Sequence, residues 1–590
     1  MLRYFAMLIL FCGLGCHSSA VKQSAVGDDD KLVRIVEQYA YERKHLDAFE
    51  APYFNIEENL SKFGDFASPG FREKSKKIIT DSLGQLSQIN ANGLTESRGL
   101  LYRLFKEDLE VSAKNFDFSE ELNFNQMNNR LHAYLDDSSP ELTQFPFDSV
   151  KHYEDFVKRA EGFTQYVNWQ IDRLREGAEH GIAHSCVVAT QLPITYRDAL
   201  ETKVEKNPFW RPIKVMPKTF STADQQRIKK QFKEFIENSI LPGYQKFDRY
   251  YQQEYMSKCR EGFGIYKLPN YKAWYAQAIR ANTNLSLDAA QIHEIGLKEV
   301  ERIAKEIELI KTQIGFKGSY REFLQSLLTN KKYFFGSAKT MFNSFEKVKS
   351  ETQKKIDQLF VLKPKGDFKI VESSNPEDAA GSYTEPTELL PYGRFVVNTK
   401  NLRSVPTYEL TTLMLHETVP GHHFQLALQF ELKSQLSEYQ RKMFSSNAFV
   451  EGWALYSEYL GNEMNMFKEP MQRLGHLNDE MLRAVRLVVD TGIHSKGWGQ
   501  SQSIEYMSRY LANDIKDITN EVNRYSVWPG QALGYKLGEF KILELRHLAE
   551  KELGTKFDIK EFHKVVIGHG TLSLSELDYQ VKTWIQRQKI

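Results

Sequence analysis

The chain has 590 residues, of which 41% are hydrophobic and 26% are charged, and it contains 34 Gly and 18 Pro. This composition is typical of one large or two ordinary globular domains, and it excludes a disordered chain, a collagen and a coiled-coil rod. Because 78 Lys and Arg residues balance 77 Asp and Glu residues, the chain as a whole lacks the charge excess that would bind nucleic acid or anionic lipid.

Residues 1–16 are typical of an export signal. Arg3 precedes an apolar run over residues 4–11, which is too short to span a bilayer, and small residues follow. The last three residues of the segment, ending on Cys16, resemble a bacterial lipoprotein signal. This resemblance implies that a lipid on Cys16 anchors the mature protein to a membrane. Cleavage as an ordinary secretory peptide is the alternative.

Residues 17–30 are polar, and we expect them to form a tether between the anchor and the folded body. Ser18, in place of Asp, favours retention in the outer membrane facing the periplasm. No later stretch approaches the roughly 18 uninterrupted apolar residues of a membrane span. We therefore expect an exported protein, lipid-anchored to the bacterial cell envelope. In that compartment Cys186 and Cys259 could form a disulfide, but their spacing alone does not decide the pairing.

From Lys31 onward the dominant hydrophobic period is helical. Apolar residues recur at spacings of three and four from Leu32 to Tyr39 and again over residues 297–314. Pro and Gly residues interrupt this period between 363 and 387. We therefore predict a mainly α, two-lobed body, with an N-terminal helical lobe over residues 31–370 and a C-terminal catalytic lobe over residues 371–590. Neither half is expected to fold alone.

The clearest strand lies at residues 393–399, where β-branched and aromatic residues stand between turn-forming residues. This small β element precedes the most informative part of the chain. As an edge strand it could pair with an extended peptide substrate. A structural hairpin is the alternative.

The residues that carry chemistry begin with His416-Glu417 and end with His422-His423. In a zinc-hydrolase helix of the His-Glu-x-x-His type, two imidazoles one turn apart reach one metal, and the Glu acts on water at that metal. Here Pro420 occupies the position of the second His. The standard spacing therefore fails.

On an ideal helix His422 lies on a different face from His416, whereas His423 returns to that face about 10.5 Å further along. Neither could share a zinc ion with His416 on a straight helix. Pro420 lacks the N–H that would bond the carbonyl of His416, and Gly421 permits unusual dihedrals. A bulged or broken helix can therefore bring either His422 or His423 back to the metal.

Glu451 lies on the next predicted helix, which begins near residue 449. A carboxylate from a second helix would complete a three-ligand zinc site and leave a fourth position open for water. Glu458 lies two turns later on the same helix face. It is either a residue that orients a ligand or a solvated residue, and the sequence favours neither.

Four segments together resemble the DUF885 family of bacterial proteins, namely residues 416–422, 451–454, 486–494 and 529–538. That family is similar to the helical zinc peptidases related to oligopeptidases and angiotensin-converting enzyme, with a two-residue insertion in the zinc helix. The resemblance implies a two-lobed, zinc-peptidase-like fold with a deep central cleft. It also implies one Zn²⁺ ion and these site residues: His416, His422 and Glu451 as ligands, and Glu417 as general base.

The C-terminal part of the chain offers candidates for stabilising an oxyanion. By the same resemblance these are Tyr535, then His494, then Tyr525, from a segment in which related peptidases donate hydrogen bonds from Tyr and His. Each tyrosine is equally well interpreted as a core residue with a satisfied hydroxyl. Arg483 and Arg486 share a helical stripe, which indicates either a substrate-carboxylate site or a structural ion-pair row.

Two other histidine patterns have simpler interpretations. His180 and His184 have metal-like spacing before Cys186, but no carboxylate accompanies them, so a loop or core role is favoured. His293 and Glu294 lack a second His four residues later and are expected in surface or lobe packing.

We therefore predict a lipid-anchored zinc peptidase that hydrolyses short exported peptides. Glu417 would take a proton from water as it attacks the peptide carbonyl, and would pass this proton to the leaving amine. Two alternatives remain. A zinc hydrolase of a non-peptide amide or ester would use the same residues, and a helical binding lipoprotein would have lost catalysis.

Overall fold

A computed structural model describes residues 27–66, 68–118, 145–373, 379–388 and 390–590. The predicted export signal, the lipidation site at Cys16 and most of the predicted tether lie outside the described residues. Helix α1 begins at Asp28, three residues before the predicted start of the folded body.

The described residues are mainly helical, with a small sheet, which confirms the prediction of a mainly α protein with one short β element. The helices that precede the sheet are α1 (Asp28–Leu46), α2 (Ala51–Phe54), α3 (Pro69–Leu86), α4 (Glu96–Asn115), α5 (Val150–Arg159), α6 (Phe163–Glu179), α7 (Cys186–Ala189), α8 (Leu192–Tyr196), α9 (Arg211–Lys214), α10 (Thr222–Phe235), α11 (Leu241–Tyr250), α12 (Tyr271–Thr283), α13 (Ala289–Gln313), α14 (Tyr320–Thr329) and α15 (Ala338–Gln353). No helix within the described ranges is long and apolar enough to cross a membrane.

The sheet and the helices that follow it form the rest of the chain. They are β1 (Phe368–Glu372), β2 (Gly381–Thr384), β3 (Gly393–Val397), α16 (Leu410–Glu417), α17 (His422–Glu431), α18 (Asn447–Glu463), α19 (Pro470–Lys496), α20 (Gln500–Tyr510), α21 (Ile515–Val527), α22 (Gly534–Leu553), α23 (Ile559–Ile567) and α24 (Leu574–Lys589).

The helix predicted over residues 297–314 is part of α13, which packs antiparallel to α19. A capping box of Asp288 and Gln291 starts α13, and its buried apolar residues recur every three or four positions. His293 Nδ1 lies 2.8 Å from the hydroxyl of Thr491 on α19. His293 therefore serves the packing of two helices.

The strand order is β1-β3-β2, with β1 parallel and β2 antiparallel to the central β3. All five residues of β3 are buried, and both of its edges are hydrogen-bonded. Of the two alternatives left open by the sequence, an edge strand available to a substrate is therefore excluded, and β3 instead pairs antiparallel with β2 and parallel with β1. The partners β1 and β2 are short, partly exposed strands without a clear hydrophobic period, so the sequence did not reveal them.

The sheet positions the start of the motif helix. Phe395 and Val397 of β3 share one core with Leu410 and Met414 of α16. Because β3 is hydrogen-bonded on both sides, its packing against α16 fixes the position of that helix. The residues of the metal motif follow directly from it.

Residue 370 does not divide the chain into two separate cores. One core uses residues between 49 and 255 only, whereas another joins Leu104 and Phe105 of α4 to Trp453 and Tyr456 of α18. Helices from the N-terminal part of the chain therefore share a hydrophobic core with helices from the C-terminal part. Folding of either half alone would leave this interface exposed.

Cys186 and Cys259 form a disulfide, with their Cα atoms 4.8 Å apart. His184 is buried beside it, with Nδ1 2.7 Å from the hydroxyl of Tyr255. His180 instead lies near its own helix end, 2.9 Å from the carbonyl of Glu176. These contacts agree with a structural role for both histidines.

Candidate metal centre

The motif helix breaks where Pro420 was expected to break it. Helix α16 ends at Glu417, the peptide bond between Val419 and Pro420 is cis, and α17 begins at His422. The indole N–H of Trp453 donates to the carbonyl of Pro420 at 2.8 Å and fixes the loop against α18.

Gly421 is required here because the chain folds closely back on α16. A Cβ atom at this position would lie 1.8 Å from the carbonyl oxygen of His416 and 2.4 Å from that of Leu415. Its φ of −76° is ordinary, so space and not backbone strain selects glycine. The expectation that Gly421 supplies unusual dihedrals holds only for ψ, which is −131°.

The break brings His416 and His422 to Glu451 of α18. Glu451 Oε2 lies 3.6 Å from His416 Nε2 and 3.5 Å from His422 Nε2. One nitrogen or oxygen of each side chain lies within 4.8 Å of the other two. Within the described ranges, this is the one place where three or more His, Cys, Asp or Glu residues converge in this way.

Glu458 orients His416. It is 1% exposed, and its carboxylate accepts from His416 Nδ1 at 2.8 Å and from the hydroxyl of Thr412 at 2.9 Å. With Nδ1 held in this way, Nε2 faces Glu451. Of the two interpretations that the sequence left open, the structure shows the buried, orienting one.

His423 points away from the cluster. Its Nε2 lies 3.2 Å from the carbonyl of Gly366, and its Nδ1 lies 3.0 Å from the hydroxyl of Tyr383. Because a carbonyl can only accept, Nε2 carries the proton and Nδ1 accepts from the tyrosine. Burial lowers the pKa of His423 to about 4, which keeps the ring neutral.

The three converging side chains form a site that favours positive charge. Burial by itself lowers the pKa of His416, but the carboxylates of Glu451 and Glu458 outweigh it and raise that pKa to about 10. Burial also opposes ionisation of Glu451, yet His416 and His422 hold its pKa well below the ordinary value. The cluster therefore favours cationic charge, as a proton on His416 or as a metal ion.

The donor set fits zinc. Two ligands bonded at roughly 2.0–2.2 Å in a tetrahedral arrangement lie about 3.3–3.6 Å apart, which matches the 3.5 and 3.6 Å separations at Glu451. Glu451 Oε2 is buried and has no hydrogen-bond partner among the described residues. Such an orphaned oxygen between two imidazole nitrogens is the arrangement expected of a metal ligand.

Glu417 is the last residue of α16 and is 8% exposed. Burial raises its pKa, while the neighbouring histidine His416 opposes the rise. No group in the described part of the chain donates a hydrogen bond to its carboxylate. A water molecule at the cluster would therefore find this carboxylate available.

The three candidates for oxyanion stabilisation differ in their surroundings. Glu451 contributes to the raised pKa of Tyr535, after burial as the main cause, and the Arg486 guanidinium lies 4.4 Å from the Tyr535 ring centroid. Tyr525 instead donates to Glu521 at 2.7 Å and accepts from Arg486 at 2.9 Å. Of the three candidates, Tyr535 is therefore the one that interacts electrostatically with Glu451 of the cluster.

His494 does not have a nitrogen to offer a substrate. Its Nε2 lies 2.9 Å from the carbonyl of Tyr525, and its Nδ1 accepts from the backbone N–H of Ile265 at 3.3 Å. Burial lowers its pKa to about 3. The expected catalytic role of His494 is therefore replaced by a structural one, in which it ties α19 to α21 and to the loop at Ile265.

Sequence reasoning did not identify His476, which lies behind Glu458. His476 Nδ1 and Arg483 Nη2 each lie 3.7 Å from the Glu458 carboxylate, and Arg483 also pairs with Asp479 at 3.0 Å. The four-residue spacing of Asp479 and Arg483 was a visible sign of an ion pair. His476 carried no such sign, because its partner comes from another helix.

Comparison with known proteins places this architecture among bacterial relatives. No curated protein matches the chain. The crystal structure of "the putative lipoprotein from Colwellia psychrerythraea" is 26% identical, with a TM-score of 0.87 over 95% of this chain and 100% of that one.

A second solved structure, "a putative lipoprotein of unknown function from Shewanella oneidensis", is 18% identical, with a TM-score of 0.67 over 93% of this chain and 99% of that one. It shows the shared fold alone. The profile of the family described as "bacterial protein of unknown function (DUF885)" matches residues 51–581, and the chain therefore belongs to the DUF885 family.

Proposed function

We propose that the protein is a zinc-dependent peptidase acting on short peptides. The observation that carries this proposal is the convergence of His416, His422 and Glu451, with the orphaned Oε2 of Glu451 lying between the two imidazoles. Two His and one Glu are the ligand set of several zinc hydrolases, and three protein ligands leave a position open for water.

When bound, zinc would lower the pKa of water and polarise a substrate carbonyl. Glu417, adjacent in sequence to His416, accepts the proton of the attacking water and returns it to the leaving amine. Glu458 keeps His416 in the ligand orientation. Tyr535 lies close enough to Glu451 for that carboxylate to add to the effect of burial in raising the pKa of Tyr535, and its hydroxyl would donate to the developing oxyanion.

We further propose that the peptidase is anchored to the bacterial envelope through a lipid on Cys16 and faces the periplasm. The lipoprotein-like segment that ends on Cys16 supports this, as does the "putative lipoprotein" description of the Colwellia relative. The disulfide between Cys186 and Cys259 agrees with an oxidising compartment. We also propose that the helical body has two lobes with a deep central cleft between them, as in zinc peptidases.

The test combines elemental analysis with peptide hydrolysis by the purified protein. We expect one zinc per chain, and hydrolysis of short peptides that a chelator abolishes and zinc restores. Glu417→Gln should keep the metal and lose at least about 100-fold in turnover, and near-full turnover would remove Glu417 from the mechanism. A metal-bound protein that cleaves esters or non-peptide amides but not peptides would identify a different hydrolase. A protein without stoichiometric metal would be a binding lipoprotein.

A further inference from the structure

A small cavity of about 30 Å³ lies beside α17, beyond His422. It is formed by α17, the segment that follows β2, and the π-helical turn Tyr439–Met443. Residues that line it include Tyr53, Glu385, Glu388, Leu426, Arg441 and Lys442. A space of this size holds a carboxylate or one to two water molecules.

Arg441 is the unusual member of this lining. Its Nε and Nη1 atoms are shielded from solvent, and its guanidinium has no hydrogen-bond or ion-pair partner in the described part of the chain. A shielded, unpaired guanidinium is unfavourable, and such groups are normally paired with an anion. Arg441 is partly buried, and two of its three guanidinium nitrogens are shielded without a direct anionic partner among the described residues.

The two carboxylates of the cavity are already engaged. Glu388 pairs with Lys433 at 2.9 Å and lies 3.9 Å from Lys442. Glu385 lies 3.3 Å from the hydroxyl of Tyr53, and burial raises its pKa. Neither carboxylate forms an ion pair with Arg441, although the charge of Arg441 adds to the larger effect of Lys433 in lowering the pKa of Glu388.

The backbone of Arg441 is tied to α17, the helix that begins at His422. The side chain of Gln429 donates to the carbonyls of Gln440 and Arg441, each at 3.2 Å. Gln429 stands seven residues after His422 on one helix, which is about 10.5 Å along its axis. An extended peptide of about three residues spans this distance, at roughly 3.3–3.6 Å per residue.

We propose that Arg441 binds a carboxylate of the substrate, the C-terminal carboxylate of a short peptide, about three residues from the bond that is cleaved. This inference rests on the proposed peptidase function and specifies its substrate class. A planar guanidinium can bind a carboxylate through two parallel hydrogen bonds. The side chain of Asp or Glu offers the same chemistry, so the experiment separates the two sources.

The experiment measures binding without turnover, by calorimetry, in the Glu417→Gln background. The probes are N-acetyl-tetraalanine with a free C-terminus, its C-terminal amide, and N-acetyl-Ala-Ala-Ala-Glu amide. The free acid should bind roughly 10- to 100-fold more tightly than the amide. Adding Arg441→Gln should abolish this preference, and adding Arg441→Lys should retain part of it. The matched control is Arg509→Gln, which removes an exposed guanidinium and should leave the preference intact.

Equal binding of acid and amide by the parent protein would overturn the inference, as would an unchanged preference after Arg441→Gln. Tight binding of the Glu-containing amide, lost in Arg441→Gln, would support the carboxylate site and assign it to an acidic side chain. Failure of the protein with Glu417 intact to hydrolyse any of the probes bears on the peptidase function, whereas the acid-to-amide ratio bears on Arg441 alone.

Discussion

Replacing Glu458 by Gln should weaken metal binding although Glu458 is not itself a ligand. The carboxylate is buried and accepts from His416 Nδ1 at 2.8 Å. Gln keeps an acceptor oxygen of similar shape but removes the negative charge that makes His416 a stronger donor to the metal. Loss of such a partner typically costs 10- to 100-fold in metal affinity, which is about 1.4–2.7 kcal/mol.

The assay is competition for zinc with a chelator of known affinity. Glu576→Gln is the matched control, because Glu576 is also a buried carboxylate but pairs with Arg103 at 2.7 Å in another part of the molecule. The control should lose stability and keep its zinc affinity. An affinity of Glu458→Gln within threefold of the parent protein would refute the reasoning that Glu458 tunes His416.

Three further predictions concern the ligand set, the helix break and pH. His422→Ala should abolish stoichiometric zinc in elemental analysis while His423→Ala retains it, and the opposite result would reassign the ligand. Gly421→Ala should lower the unfolding temperature and the zinc content, because its Cβ would lie 1.8 Å from a carbonyl oxygen; Gly499→Ala, with no heavy atom within 4 Å, should change neither. Burial raises the pKa of Asp490 from 3.8 to about 7, so the folded state holds this proton more tightly than the unfolded state. The contribution of this proton to the free energy of unfolding is complete below pH 3.8. It is lost as the pH rises to about 7, and the loss reaches about 4 kcal/mol. Urea unfolding of the parent protein and Asp490→Asn should therefore diverge over that range, and a difference constant with pH would contradict the shift.

Much of the local structure was predictable because it depends on near neighbours in the chain. The helical period of α13 and the breaking of the motif helix at Pro420 follow from side-chain spacing and from the missing proline N–H. The strand at β3 was also predicted, two residues too long. Its place in the centre of a sheet was not, since strand order depends on partners distant in sequence.

In the candidate site, too, the local features were predictable from the sequence and the long-range contacts were not. The sequence by itself determined which residue types stand near a broken helix, and therefore that a metal centre was the leading hypothesis. It did not determine whether His422 or His423 faces His416. The direction of α17 after the break depends on the contacts that each imidazole ring makes. The tertiary structure gives the two rings different surroundings: Tyr383 and Gly366 occupy both nitrogens of His423, whereas His422 faces Glu451.

Long-range contacts likewise decided the roles of Glu458, His494 and Arg441. Glu458 is buried because α16 packs on α18, and both nitrogens of His494 are engaged by backbone groups, one in helix α21 and one in the loop at Ile265. Two guanidinium nitrogens of Arg441 are shielded without a hydrogen-bond partner among the described residues, because α17 and the segment after β2 line the same cavity. Local sequence determines where the chain turns and which side chains it offers. Only the packing of distant segments determines which of these side chains are buried, which are already paired and which remain to bind a ligand.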